Sequence, residues 1–570
     1  MRVEIYIYII NIMKRWTALL FFICILFIGT VEAPAQSWVK KASKSVFTLK
    51  TFDAGGTLLG SSYGFFVGEH GECISSYEPF RGAYSATVID AAGKEYAVEA
   101  ILGANATYDV AKFRVTIKKS QPLAIVTQDA AIGTPVWMLP YRNTRSAIEG
   151  TVSQKETVGT GYSYYTAIMA MPPDAAGLPL LNEGGEVVGI MQKPATSADT
   201  LGYAVSAVFA DSLRINGLSI NDAVMRSINI KKALPTDLNQ ALLTLFVAPS
   251  SLDSTAYSLL LDDFVAQFPA QKDGYVARAQ FAANGGRYAD ADRDIAQAIS
   301  IGDATDEVHY SYSKLIYNKN IYKPQDDYPA WTFDRALAEA QSAFELNPLP
   351  AYQQQQAHIL YAMTRYSEAS DIYQQLFNSA LRSPDIFVEA AQCKLMQADT
   401  IGHIAMLDSA VAMFNRPYIR EAAPYIMARA QARIDAGRYR EAVLDLNDYE
   451  QLLPTRVNDS FYYLRFQAEV EGRLYQQALN DISKAIQQSP AEATYYSEKA
   501  SLEVRVGLYD EALATAQEII QLAPEASDGY LFLGLAQCLK GDKTSGVGNL
   551  RRAKELGDNQ ADALIERYGN

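Results

Sequence analysis

Five short stretches in the second half of the chain are copies of one another. They are Gly286-Arg287-Tyr288-Ala289-Asp290-Ala291, Arg365-Tyr366-Ser367-Glu368-Ala369, Gly437-Arg438-Tyr439-Arg440-Glu441-Ala442, Gly472-Arg473-Leu474-Tyr475-Gln476-Gln477-Ala478 and Gly507-Leu508-Tyr509-Asp510-Glu511-Ala512. Tyr475 and Tyr509 lie 34 residues apart, as do Pro490 and Pro524. A fixed period of this size means that each copy is one supersecondary unit, which buries its apolar face only against its neighbours. The apolar spacing is helical, so each unit reads as two antiparallel helices. Tyr275, Tyr462, Tyr496 and Tyr530 recur near the start of the first helix and pack inside the unit. Ala279, Ala430, Ala500 and Gly534, with Ala291, Ala442, Ala478 and Ala512, let the paired helices approach closely. Pro348, Pro454, Pro490 and Pro524 stop the second helix.

About eight units follow, near 272–305, 306–349, 350–383, 384–419, 423–456, 459–492, 493–526 and 527–560, with a degenerate helix pair ahead of them at about 236–269. A short helix, Ala561–Arg567, closes the array as a polar cap. Period and motif resemble the tetratricopeptide (TPR) family, which implies an all-α solenoid over 249–570 that grips a protein or peptide. One unit departs from the period. Asn318 to Trp331 interrupts it with Tyr322, Tyr328 and Trp331. Insertions in such arrays map to loops, often on the binding face. These three aromatics are therefore the candidate binding residues, and packing on the neighbouring unit is the other reading of them. His309, His358 and His403 fall in three different units with no i, i+4 partner, so no metal site is expected.

The first half reads differently. Ser45–Thr51, Thr57–Val67, Ser85–Asp90, Glu95–Leu102, Val110–Thr116, Thr134–Leu139, Tyr162–Met171 and Glu186–Gln192 are short β-type runs between Gly, Asp and Asn turns, the spacing of an all-β sandwich or barrel. Met171 to Ile190 resembles the nucleophile loop of trypsin-like serine proteases of the HtrA/Deg type, with Gly177, Pro179 and Leu180 holding its frame and Glu186–Ile190 its following strand. Five further pieces resemble that family in its order: Gly60–Val67, Gly71–Glu78, Tyr108–Ala111, Gly150–Ser153 and Tyr203–Ser206. The resemblance implies two packed six-stranded barrels over 37–207. Carried across residue by residue, the orienting aspartate is Asp109, the histidine position falls on Glu78 and the serine position on Ala176. The only histidine of this domain, His70, reads as a surface turn residue. Glu78, Asp109 and Asp174 could instead cluster where a triad would stand and share a proton or hold a cation.

Residues 208–248 read as a join, too short for a PDZ domain, with Thr236 or Asp237 capping a helix. The N-terminus carries a secretion signal over 1–35. Lys14 and Arg15 precede the apolar run Trp16–Thr30, and Ala33-Pro34-Ala35 is a cleavage site. A formal net charge of −14 argues against a nucleic-acid partner. Cys73, Cys393 and Cys538 are too far apart for a disulfide framework or a metal set and read as buried hydrophobes. The expectation is thus a chain secreted to the periplasm or cell exterior, without cofactor or metal, binding a protein or peptide as a non-catalytic adaptor. A trypsin-like endopeptidase with displaced catalytic residues is the alternative.

Overall fold

The computed structural model describes residues 38–141, 146–158, 161–194, 200–302 and 305–569. The signal segment 1–35 and its cleavage site lie outside them. The chain forms two compact units that meet between Ile301 and Gly302.

The first unit begins with two closed six-stranded barrels. Strands β1 (Val46–Phe52), β2 (Leu58–Phe66), β3 (Glu72–Ser75), β4 (Ser85–Ile89), β5 (Glu95–Asn105) and β6 (Val110–Val115) close in the order β1-β2-β3-β6-β5-β4. Strands β7 (Pro135–Met138), β8 (Ile148–Val158), β9 (Tyr162–Met169), β10 (Pro179–Leu181), β11 (Val187–Met191) and β12 (Leu201–Ser206) repeat that order as β7-β8-β9-β12-β11-β10. Strands β3, β8, β10 and β12 fall outside the β-type runs read from the sequence. β10 is three buried residues long, and its pairing with β11 and β7 rather than its own pattern makes it a strand. The β10–β11 turn is local chemistry: Asn182 Oδ1 accepts the Glu186 amide at 2.9 Å, and Gly185 takes φ +78°.

The stretch after β12 is not a bare linker. Met225, Ile228 and Ile230 join the core of the first barrel, and Ile101 exchanges backbone hydrogen bonds with Lys231 and Ala233 at 2.8 and 2.9 Å. Asp237 then caps the helix Leu238–Val247 through the Gln240 amide, as expected, and Ser254–Gln267, Lys272–Asn284 and Tyr288–Ile299 complete the unit.

The second unit is a run of antiparallel helical hairpins: Asp306–Tyr322 with Phe333–Leu346, Pro350–Ala362 with Tyr366–Leu376, Pro384–Met396 with Thr400–Val411, Ala423–Asp435 with Tyr439–Leu452, Asp459–Glu471 with Tyr475–Gln488, Ala493–Val506 with Tyr509–Leu522, and Ser527–Lys540 with Lys543–Glu555. Each second helix packs on the first helix of the next hairpin, and Ala561–Tyr568 closes the series. The small residues sit where close approach requires them. Ala430, Ala442, Ala478, Ala500 and Ala512 are fully buried, and a Cβ on Gly534 would stand 2.7 Å from the carbonyl oxygen of Gly546. The repeated motif also has a backbone meaning. The residue two before the second helix is left-handed in Gly286, Thr364, Ala398, Gly437, Arg473, Gly507 and Gly541.

A recurrent ion pair ties the two helices of a hairpin together. Arg278 with Asp294, Arg429 with Asp445 and Arg465 with Asp481 are bidentate pairs sixteen residues apart. In the second unit each arginine also reaches an acid of the preceding hairpin, Asp408 for Arg429 at 3.1 Å and Glu450 for Arg465 at 2.7 Å. The planar guanidinium fork suits such multiple contacts.

Candidate functional site

A cleft of about 590 Å³ in the first unit is lined by Glu78, Asp109, Asp174 and Ala176, together with Ser61, Ser62, Tyr63, Ser76, Arg81 and Lys193. All three positions carried over from the protease motif therefore face one space. Glu78 opens the short turn Glu78–Phe80 that follows β3, and its side chain is exposed. Asp109 ends the β5–β6 turn in the left-handed region, φ +45°, a conformation aspartate tolerates better than most residues. Its carboxylate accepts the Glu78 amide at 2.7 Å, so the backbone of one position is tethered to the side chain of the other. Burial pushes the Asp109 carboxyl up from its ordinary range, against hydrogen bonds from Glu78, Ser76 and Tyr77 that pull it down.

Ala176 stands half-buried on the loop between β9 and β10. Its carbonyl accepts the Tyr63 amide at 3.2 Å, which fastens the loop to β2. The next residue, Gly177, has φ +83°, and a Cβ there would stand 2.0 Å from the Tyr63 carbonyl oxygen. Glycine is required at this crossing. Across the cleft the Tyr63 hydroxyl donates to Asp174 at 2.7 Å, and its ring stacks on Tyr141. Burial, reinforced by the Asp174 bond, pushes the Tyr63 phenol up to about 12. This Tyr63–Asp174 bridge joins the first barrel to the loop of the second, and no local sequence signal marked it. Asp174 is thus engaged by a phenol, and among the described residues no group of three or more His, Cys, Asp and Glu side chains is placed to hold a metal ion. His70 is exposed on the β2–β3 turn and does not line the cleft. Ser75, at the end of β3, donates its Oγ–H to the Tyr63 carbonyl at 2.5 Å.

The three candidate binding aromatics of the array divide. The helix expected to end near Tyr317 continues to Tyr322, so 318–322 is helix and only the following residues form a loop. Continuous hydrogen bonding carries the helix through Asn318–Tyr322, up to the Lys323 amide bonded to the Lys319 carbonyl. Tyr322 is 74% exposed, Tyr328 is half-buried, and Trp331 is 1% exposed. The Trp331 ring packs edge-on against Tyr312 and Tyr328, and its carbonyl accepts the Asn320 amide at 2.9 Å. Trp331 is therefore a core residue of its hairpin, and Tyr322 is the aromatic offered to solvent. Among the described residues Cys73, Cys393 and Cys538 are buried and form no disulfide. His309, His358 and His403 contact Glu339, Glu389 and the Ala391 carbonyl respectively.

A family model described as a trypsin-like peptidase domain matches residues 62–190. The barrel pair has the trypsin-like fold. Among solved structures, the chain is similar to the Rv3671c protease from M. tuberculosis in its active form, at 18% identity over 32% of this chain and 85% of that one, with a TM-score of 0.28. It is also similar to the HtrA-type protease AlgW with a tripeptide, at 17% identity over 30% and 59%, with a TM-score of 0.27. Among curated proteins, it is 28% identical over 93 residues to the Protein SGT1 homolog of Bos taurus, which is 16% of this chain and 27% of that protein. It is 28% identical over 95 residues to the Small glutamine-rich tetratricopeptide repeat-containing protein 2 of Saccharomyces cerevisiae, 16% and 28% of the two lengths. The chain spans about a quarter of the length of these curated relatives. Among the described residues no helix is long and apolar enough to cross a membrane.

Proposed function

We propose that this chain is a secreted, non-catalytic binding protein: a trypsin-like barrel domain without a working protease centre, joined to a TPR-type array that holds a protein or peptide. The observation that carries the reading is the methyl of Ala176 facing the cleft beside Asp109 and Glu78. Acyl transfer needs a nucleophile and a base that takes its proton. A methyl group cannot attack, and the residue whose amide Asp109 anchors is a glutamate rather than an imidazole. The array supports the binding role because repeat surfaces present long continuous faces to extended partners. Secretion rests on Lys14, Arg15 and the apolar run to Thr30.

The alternative, an endopeptidase with a displaced nucleophile, draws on Ser61, Ser62 and Ser76, which line the same cleft. A fluorophosphonate probe and casein separate the two. The mature chain should neither label nor cleave. Labelling that vanishes on a single Ser→Ala change at 61, 62 or 76 would establish the enzyme instead. Pull-down from cell-envelope extract then tests the adaptor: a specific full-length partner supports it, and fragments with a consistent cut site overturn it.

A further inference from the structure

Three consecutive hairpins of the second unit repeat one pattern on their first helices. Gln392, Gln431 and Gln467 are exposed on the helices Pro384–Met396, Ala423–Asp435 and Asp459–Glu471. Four residues before each glutamine stands an apolar residue: Val388, Met427 or Tyr463. Three residues after it stands another: Leu395, Ile434 or Val470. Positions i, i+4 and i+7 share one face of a helix, so each of these helices carries an amide between two apolar side chains. Leu395 is 46% exposed and the other five are half-buried, so these side chains border solvent as well as the core.

The three helices stand side by side. The Tyr425 hydroxyl donates to Asp385 at 2.7 Å, joining the first pair. Met427, Ile434, Tyr463 and Val470 rest on one hydrophobic cluster, joining the second. The pattern therefore forms three rows across the hairpins, a central row of amides with an apolar row on either flank. An amide offers both a donor and an acceptor, which matches a peptide backbone and reads no side chain. Gln431 donates to Asp435 at 2.8 Å and Gln467 to the Tyr463 phenol, contacts within one helix that a bound backbone replaces. The rows themselves bear no charge, while Asp435 and Glu471 stand exposed at the ends of two of the helices. Their charge disfavours an acidic partner. Packed helices lie roughly 10 Å apart and an extended chain rises about 3.3 Å per residue, so one hairpin matches about three residues.

We propose that these rows hold an extended segment of a partner polypeptide, with its backbone on the amides and an apolar side chain at about every third position on the flanks. The segment carries no acidic residues and is recognised without charge. This deepens the adaptor reading and rests on it: that reading supplies a protein or peptide as partner, and the rows assign its chemistry.

Calorimetric titration of the mature chain with acetylated, amidated peptides tests the surface. A peptide of four Leu-Ser-Thr triplets should bind saturably. An isomer with its leucines together at one end, and a peptide of four Leu-Asp-Thr triplets, should each bind roughly tenfold more weakly. The double variant Gln431→Ala with Gln467→Ala keeps good helix formers on an exposed face, so its circular dichroism spectrum should not change. It should bind the Leu-Ser-Thr peptide roughly tenfold more weakly. If it loses helicity, Gln392→Ala replaces it in the comparison. Raising salt from about 0.05 to 0.5 M should change the affinity by less than about twofold. No saturable binding, equal binding of the peptide and its isomer, a preference for the aspartate peptide, a steep salt dependence, or unchanged binding in the folded glutamine variant overturns the surface. The adaptor reading fails separately. An envelope partner that the folded glutamine variant retains refutes these rows alone, whereas a wild-type chain that recovers no partner refutes the adaptor.

Discussion

At the scale of single residues, one cleft gathers Glu78, Asp109 and Ala176, the three positions carried over from the protease motif. Asp109 still holds the amide of position 78, yet that position ends in a carboxylate that cannot act as an imidazole does. On the proposed non-catalytic reading, restoring one group is insufficient. Ala176→Ser alone should stay unlabelled by a fluorophosphonate probe, and labelling of that single variant would mean that a base other than histidine is in place. The frame itself depends on Gly177. Gly177→Ala combines a left-handed backbone with a Cβ that strikes the Tyr63 carbonyl oxygen. It should cost roughly 2 kcal/mol or more in denaturant unfolding of the barrel unit. An unchanged midpoint would mean that the loop relaxes away from β2.

At the scale of elements, the hairpins share one joint and one buried charge pattern. The joint needs a left-handed residue two positions before the second helix. Where that residue is Arg473, exposed and at φ +58°, the chain bears a steric cost that glycine avoids. Arg473→Gly should stabilise the array by about 1 kcal/mol, read as a rise in the urea midpoint; a fall would show that unfolded-chain entropy outweighs the joint.

The charge pattern makes the array pH-sensitive near Glu469, whose side chain is buried among Arg465, Asp481, Lys484 and Glu450. Burial first, and then the Asp481 charge, push its carboxyl up to about 8. The folded state therefore keeps a proton that the unfolded chain gives up in the ordinary glutamate range. The stability that this proton brings is full below that range and is lost as pH rises through about 8. Wild type should melt progressively lower from about pH 5 to 8, and Glu469→Gln should flatten the trend. A Gln variant with the same pH slope as wild type would remove Glu469 as its source.

At the scale of the whole molecule, two compact units meet at Ile301–Gly302, well beyond the last barrel strand. Residues 302–570 hold their own succession of packed hairpins and should fold without the barrels. The expressed fragment should give a strongly helical circular dichroism spectrum and a cooperative melt. A largely unfolded fragment would show that the first unit is needed to cover the array's open end.

Much of this was legible in the chain because it is periodic or local. The 34-residue repeat and the small residues between helices follow from spacing, since a helix presents every third or fourth residue to its neighbour, and a cap at Thr236 or Asp237 follows from their short acceptor side chains. The order of motifs in the first half was enough to bring Glu78, Asp109 and Ala176 to one cleft, because each sits on a connection between strands with fixed places in the barrels. What tertiary structure alone decided are the contacts between residues distant in sequence. Strand β10 exists through its pairing partners, and Tyr63 meets Asp174 across 111 positions. Trp331 turns inward onto Tyr312 and Tyr328. None of these has a local signature, because burial and pairing are properties of the space a side chain enters and not of the residues beside it in the chain.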